Sequence, residues 1–216
     1  SGCLPRRMFE KTDGTWQDGW SGVSPTLEAI KQFYTKDGYP ITDVNHFYPQ
    51  DEWYELAGKK IVDNEPSYSG KIDADEIIKL NTNREPRFYA WMAFNGGEYG
   101  TKIVKEMPII LKMRDENTQG YNPAISNRDY CRTGFLSQKW CHPSLAYKDN
   151  GSSNSGSFTS PRPLIRMAEL YLNLAECHAA LGEEEAFLET INPVRTRAGI
   201  NALSSSDIPH GKDDMT

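Results

Sequence analysis

The chain has 216 residues, with 24 Lys and Arg against 30 Asp and Glu for a net charge of −6, a pI near 5.3 and a mean hydropathy of −0.66. That balance argues against nucleic acid or an anionic membrane surface as the main partner, and no stretch approaches the roughly 20 apolar residues of a transmembrane helix. A polar chain that still carries 5 Trp, 11 Tyr and 8 Phe predicts a loop-rich protein that uses rings for a small core and for contact surfaces.

In chain order, Asp13 to Gly22, DGTWQDGWSG, is a turn-rich loop holding Trp16 and Trp20. Ser24 then offers a helix cap with Pro25 at the first helical position, and Leu27, Ile30 and Phe33 mark the buried side of that helix. TKDGYPITD comes next as a turn and a short extended piece. His46 to Tyr68 is irregular and aromatic, with Phe47, Tyr48, Trp53, Tyr54 and Tyr68. Asp73 and Glu76 stand at capping-box spacing before Ile77 and Leu80, which predicts a short helix. PRFYAWMAF, from Pro86 to Phe94, has the length and aromatic content of a buried strand. Asn95, Gly96 and Gly97 supply a turn towards Ile103 and Val104, and a second short strand falls at Ile109 to Met113. The Gly/Ser/Asn stretch from Asp149 to Ser160 separates this irregular part from a helical C-terminal part.

PRPLIRMAELYLNLAECHAALG, from Pro161 to Gly182, is an apolar helix in which Glu176, Cys177 and His178 are consecutive. Consecutive helical residues point about 100° apart, so these three cannot converge into an active site. Arg166, Glu169, Asn173 and Glu176 share one narrow polar stripe. Apolar residues fill the rest of the circumference, which predicts burial among other helices and places Cys177 and His178 in packed surroundings. Ala168, Ala175 and Ala179 would let a neighbour approach closely. Gly182 stops the helix, and the acidic run Glu183 to Glu185 favours the start of a second one. Phe187, Ile191, Val194 and Ala198 then recur at helical spacing as far as Gly199. The result is an αα-hairpin of the tetratricopeptide type, with Pro193 in its second helix predicted to kink the chain or restart it. Such hairpins normally stack in groups of about three. One hairpin therefore predicts that the sequence belongs to a longer protein or that a second chain supplies the missing helices.

Chemistry by motif is sparse. Cys3, Cys131, Cys141 and Cys177 have no C-x-x-C spacing, so no zinc or thioredoxin-like site is predicted, and a Cys131 to Cys141 disulfide stays open. There is no G-x-S-x-G elbow, H-E-x-x-H motif or Walker loop. Asp51, Glu52, Glu55 and Glu98 lie in aromatic surroundings, but no pattern selects the pair that glycoside hydrolysis needs. No catalytic residue, metal site or cofactor is expected. The aromatic loops WQDGW and YPQDEWY, in contrast, interleave rings with amide and carboxylate side chains. A sugar presents an apolar C–H face and a rim of hydroxyls, which suits such a surface, so Trp16, Trp20, Trp53 and Tyr54 are the candidate ligand-binding residues.

Several segments in order, NREPRFYAWMAFNGG, TGFLSQKW, LIRMAELYLNLAE and INPVRTRAGI, with GVSPTLEAIKQFYTKDGYPI upstream, resemble the signature segments of the SusD/RagB family of nutrient-binding lipoproteins. The resemblance runs from about Trp20 to Ile200, and Pro193 departs from the usual pattern. It implies a mainly α, SusD-like fold: a tetratricopeptide-type helical hairpin with long irregular loops and a few short strands. On that pattern residues 1–160 form a loop-rich ligand-binding region, 161–200 the hairpin and 201–216 a truncated linker. It also implies a non-catalytic glycan-binding role at the bacterial surface, with a SusC-like TonB-dependent transporter and the remainder of a SusD-like protein as partners. The site would be the outer membrane, reached through a lipid anchor carried by a segment not in this chain. Arg166 and Glu169 fit the family's R-x-A-E element, with an architectural role. A helical-repeat protein that binds peptides or protein partners, or a glycan-degrading enzyme, would be the alternatives, since fold alone does not fix function.

Overall fold

Ile30, Phe33, Phe47, Trp53, Leu80, Phe88, Phe94 and Phe135 come from segments scattered over a hundred residues, yet they meet in one apolar cluster. The structure, a computed structural model, describes residues 9–10, 16–17, 24–59, 61, 76–99, 109–124, 130–139 and 164–208. The described part is helical with a few short strands. Near its start, β1 (Phe9–Glu10) pairs antiparallel with β2 (Trp16–Gln17), setting Glu10 opposite Trp16. The stretch read from sequence as a turn-rich loop thus contributes two strand residues.

Helix α1 (Leu27–Lys31) begins two residues later than the Ser24 cap predicted. Thr26 is the cap, and its hydroxyl accepts the Ala29 N–H at 3.3 Å. The buried side is the one expected: Ile30 and Phe33 are in the core, with Leu27 packed against it. After the irregular aromatic stretch, the short helix expected beyond Glu76 is a single 3-10 turn at Lys79–Asn81, and Asp73 lies outside the described residues.

The largest difference from expectation is at PRFYAWMAF, where Pro86–Trp91 is helix α2 and only Met92–Phe94 is a strand, β3. Proline at the first helical position loses no hydrogen bond and its fixed φ suits the helix, so Pro86 starts α2 rather than a strand. The Asn95 to Gly97 turn then leads into β4 (Glu98–Tyr99), while Ile103 and Val104 lie outside the described residues. The predicted second strand is confined to β5 (Ile109–Ile110), which pairs antiparallel with β4. The β6 strand (Phe135–Ser137) returns to pair antiparallel with β3, matching Phe94 with Phe135. Phe88 links these pieces. Its ring stacks on Phe94 with centroids 5.5 Å apart and meets Phe33 edge-on at 5.7 Å.

The hairpin consists of α3 (Met167–Leu181) and α4 (Glu184–Arg197). Gly182, with φ of 72°, closes α3. The small residues do what their size allows: Ala175 is buried and Ala168 and Ala179 are half-buried on the side where α4 packs. Of the two outcomes predicted at Pro193, the restart does not occur, and α4 runs through it as one helix. Nor are all faces of α3 covered, because α4 occupies only one of them. Met167, Leu170, Leu174 and Leu181 are 65%, 51%, 49% and 71% exposed. Within this chain Cys177 is likewise an exposed free thiol, so α4 does not supply the packed position expected for it. His178 is half-buried, and its Nδ1 lies 2.6 Å from the Glu183 carboxylate across the hairpin turn.

Candidate functional site

A ring that binds sugar must be held firmly and still show a face to solvent. The loop between β5 and β6 meets both conditions. It starts tightly folded: Lys112 N–H donates to Gln119 Oε1 at 2.8 Å, and the Thr118 hydroxyl donates to the Lys112 carbonyl at 2.9 Å. Gly120 N–H donates to the Asp115 carbonyl at 2.8 Å. A Cβ on Gly120 would sit 2.7 Å from that same carbonyl oxygen, so no larger residue fits without displacing the turn. Gln119 is buried. The loop is also tied to its neighbour, since Met113 N–H donates to Asn95 Oδ1 at 2.7 Å.

Directly after this turn Tyr121 stands 55% exposed. Its ring lies 4.7 Å from that of Tyr130, tilted by 59°, and the Arg132 guanidinium sits 5.5 Å from the centre of the Tyr130 ring. Asn122, whose amide donates to the Glu116 carbonyl, is adjacent. Two phenols, a guanidinium and a carboxamide are the groups that stack on a pyranose face and bond its hydroxyls. Cys131, next to Tyr130 in the chain, anchors this strip: its thiol donates to the Phe135 carbonyl at 3.1 Å and lies 3.6 Å from the Ser24 hydroxyl. Burial pushes that thiol above its usual pKa, so it is neutral and structural at pH 7. It is a free thiol, and Cys141 lies outside the described residues.

The four rings singled out from sequence separate. Trp16 is in β2, and Trp20 lies outside the described residues. Tyr54 is 60% exposed, whereas its neighbour Trp53 is 2% exposed. Trp53 is a core residue: its indole N–H donates to the Tyr48 carbonyl at 2.8 Å, and it meets Phe47 edge-on. Trp53 therefore presents no face to a ligand. The Tyr121 and Tyr130 pair escapes a reading by sequence because Tyr121 comes after a polar run, DENTQG, and its partner ring is nine positions away. A Tyr close to a Gly that ends an Asp/Asn/Gln turn was the available signal. A second exposed stack joins Tyr39 to His46, 3.5 Å between centroids, with His46 Nδ1 at 2.8 Å from Asp43.

Among the acidic candidates, Glu52 and Glu55 both converge on Lys79, at 2.5 and 2.8 Å, and hold its amine well above the usual lysine range. They are engaged in an ion pair rather than facing each other across a cleft. Among the described residues no group of three or more His, Cys, Asp or Glu side chains could hold a metal ion, and no helix is long and apolar enough to cross a membrane.

Comparison with known proteins agrees with the fold. The sequence profile of the SusD family matches residues 4–216. Two solved structures of BT4246, one of them the selenomethionine form, superpose with a TM-score of 0.81 and 48% identity over 97% of this chain, covering 34% and 32% of theirs. A SusD-like protein (BF3747) from Bacteroides fragilis superposes with a TM-score of 0.55 at 24% identity, covering 94% of this chain and 34% of that one. The chain thus spans about a third of the length of the solved structures that it matches. No curated protein matches.

Proposed function

This chain belongs to the SusD family, and from that premise we propose that it is part of a non-catalytic glycan-binding protein whose ligand stacks on Tyr121 and Tyr130. The protein works at the bacterial outer-membrane surface, held there by a lipid anchor in a segment outside this sequence. It hands oligosaccharide to a SusC-like TonB-dependent transporter. The observation that carries the reading is the exposed Tyr121, paired with the half-buried Tyr130 and placed directly after a turn already closed by its own hydrogen bonds. Preorganisation of this kind spares the ordering cost that a flexible loop would incur on binding. Tyr54, Trp16 and Trp20 are proposed as further contacts, and Trp53 as the core anchor of the segment bearing Tyr54. The exposed leucines of α3 are assigned to contact with the remainder of the SusD-like protein.

Each stacked ring adds a modest increment, so binding falls in the micromolar to millimolar range, equivalent to about 8 to 4 kcal/mol. The test is calorimetric titration of the full-length protein with an oligosaccharide selected on a glycan array. Tyr121→Ala and Tyr130→Ala are each expected to weaken binding roughly two- to twelvefold, from about 0.5 to 1.5 kcal/mol per ring. If both folded variants bind like the wild type, the tyrosine pair is not the platform. Release of reducing ends from the same oligosaccharide would overturn the non-catalytic part of the reading.

A further inference from the structure

Between α2 and the hairpin lies a groove of about 660 Å³, within the range of about 300 to 1,000 Å³ usual for small-molecule sites. Its lining is unusual for a chain of net charge −6. Arg87 from α2, Arg166 at the start of α3 and Arg197 at the end of α4 all border it, and Glu169 is the sole carboxylate that the described residues contribute to the lining. Arg87 is already balanced, because its Nε and one terminal nitrogen hold the buried Glu85 carboxylate at 2.7 and 2.8 Å. Arg166 and Arg197 are different. Among the described residues neither makes an ion pair or a side-chain hydrogen bond. Two guanidiniums without an ion-pair partner thus border a groove with one carboxylate, which gives it a local excess of positive charge.

Beside the guanidiniums, the groove has one exposed ring, Tyr171, the carboxamide of Asn173, and the aliphatic side chains of Met167, Leu172, Pro193 and Val194. Trp91 also borders it, but Lys139 Nζ lies 4.3 Å from the centre of its ring and Phe33 meets it edge-on at 6.0 Å, so that ring is already partnered. We infer that this groove binds the carboxylate-bearing residue of an acidic glycan, a uronic acid, with the carboxylate held by Arg166 and Arg197 and the ring set against Tyr171. A planar guanidinium matches a carboxylate in a two-point fork, and the Tyr171 ring suits the C–H face of a sugar. This inference rests on the glycan-binding reading but uses different residues, so the two can fail separately.

The experiment titrates full-length protein with galacturonate, with galactose as its neutral counterpart and with inorganic phosphate. Galacturonate is expected to bind at least about tenfold more tightly than galactose and to weaken as salt is raised. Arg166→Gln and Arg197→Gln should each remove that preference while leaving the neutral oligosaccharide bound at Tyr121 unaffected. Tyr121→Ala should do the reverse. Since the arginine variants could lose structure, the wild type supplies a second readout: phenylglyoxal labelling of Arg166 and Arg197, followed by mass spectrometry, with exposed Arg114 as the internal control. Both groove arginines should react in the free protein and be protected by galacturonate, with Arg114 unchanged. Equal binding of galactose and galacturonate, phosphate binding as tight as galacturonate, or folded variants that keep the preference would each overturn the inference. So would groove arginines that resist labelling in the free protein, because the groove would then be occupied by the protein itself. Galacturonate selectivity that survives while Tyr121→Ala has no effect on the oligosaccharide would sink the tyrosine platform and leave the groove standing.

Discussion

Arg84 is a fully buried charged side chain with a clear task. Its guanidinium donates to the carbonyls of Leu80, Ile30 and Phe33 at 2.8, 2.6 and 3.0 Å and lies 4.3 Å from the centre of the Phe88 ring. It joins α1 to the segment before α2 through backbone groups that have no strand to satisfy them. Arg84→Met keeps most of the stem but strands the Leu80 and Phe33 carbonyls, while the Ile30 carbonyl keeps the Phe33 N–H at 3.3 Å, so urea unfolding should show a loss of at least about 2 kcal/mol. Arg84→Lys, with one point donor instead of a fork, should recover only part of it. Asp43 gives a pH-dependent case. Its carboxyl is held below the ordinary value of 3.8, first by the hydrogen bond with His46 and then by the Asn45 N–H. A depressed folded-state pKa contributes stability that is full above 3.8 and lost as pH falls through the lower folded value. Asp43→Asn should therefore flatten the loss of stability on acidification below about pH 4. The effect is small because the pair is exposed to solvent, and an acid titration followed by circular dichroism measures it. An unchanged acid profile would show that the His46 contact does not persist in solution.

At the scale of elements, the hairpin is seated on the loop-rich part by two glycines. A Cβ on Gly199 would lie 2.7 Å from Pro86 Cγ, and Gly199 also has φ of 78°, a conformation that other residues rarely adopt. A Cβ on Gly38 would meet the Arg195 guanidinium and Ile200, each at 2.6 Å. Gly199→Ala combines backbone strain with overpacking against a rigid proline ring, and a cost of about 2 to 4 kcal/mol is expected. A thermal melt of the variant checks it; a shift near zero would mean that the α2 contact yields easily. These same elements show how far the sequence could be read. Gly182, the acidic residues after it and the apolar spacing marked α3 and α4 from local information alone. Pro86 misled in the other direction, because aromatic content favoured a strand while proline at the first position started a helix. Pro193 also weighed locally towards a kink or a restart, yet α4 continues through it. The exposure of Tyr121 and the burial of Trp53 were not legible. Both depend on pairings between distant segments, β3 with β6 and the Trp53 carbonyl with the Leu80 N–H at 3.0 Å, which no local pattern encodes.

For the whole molecule, the balance of covered and uncovered surface decides behaviour in solution. Met167, Leu170, Leu174 and Leu181 lie on one helix with about half or more of their surface open to water, an apolar patch of the kind that seeks a partner. The 216-residue chain by itself should run as an associated species in light scattering and bind a dye such as ANS. Leu170→Lys combined with Leu174→Lys should shift it towards monomer without melting α3, since both side chains are exposed beside the α4 contact rather than within it. A monodisperse wild-type chain that binds no dye would show that this face is covered. The short strands carry a different lesson about how the family can change. β4 holds β5 and β3 holds β6, and only the Asn95 to Gly97 turn lies between β3 and β4. The two feet of the loop that bears Tyr121 and Tyr130 are therefore each tied to a strand, and those two strands are joined by one short turn. Closing such a loop costs only about 0.6 kcal/mol more for each doubling of its length. On the proposed reading, its sequence and length can thus change while the scaffold stays put. Exchanging residues 111–134 between relatives should carry ligand preference with them, as a cartridge carries its own ink.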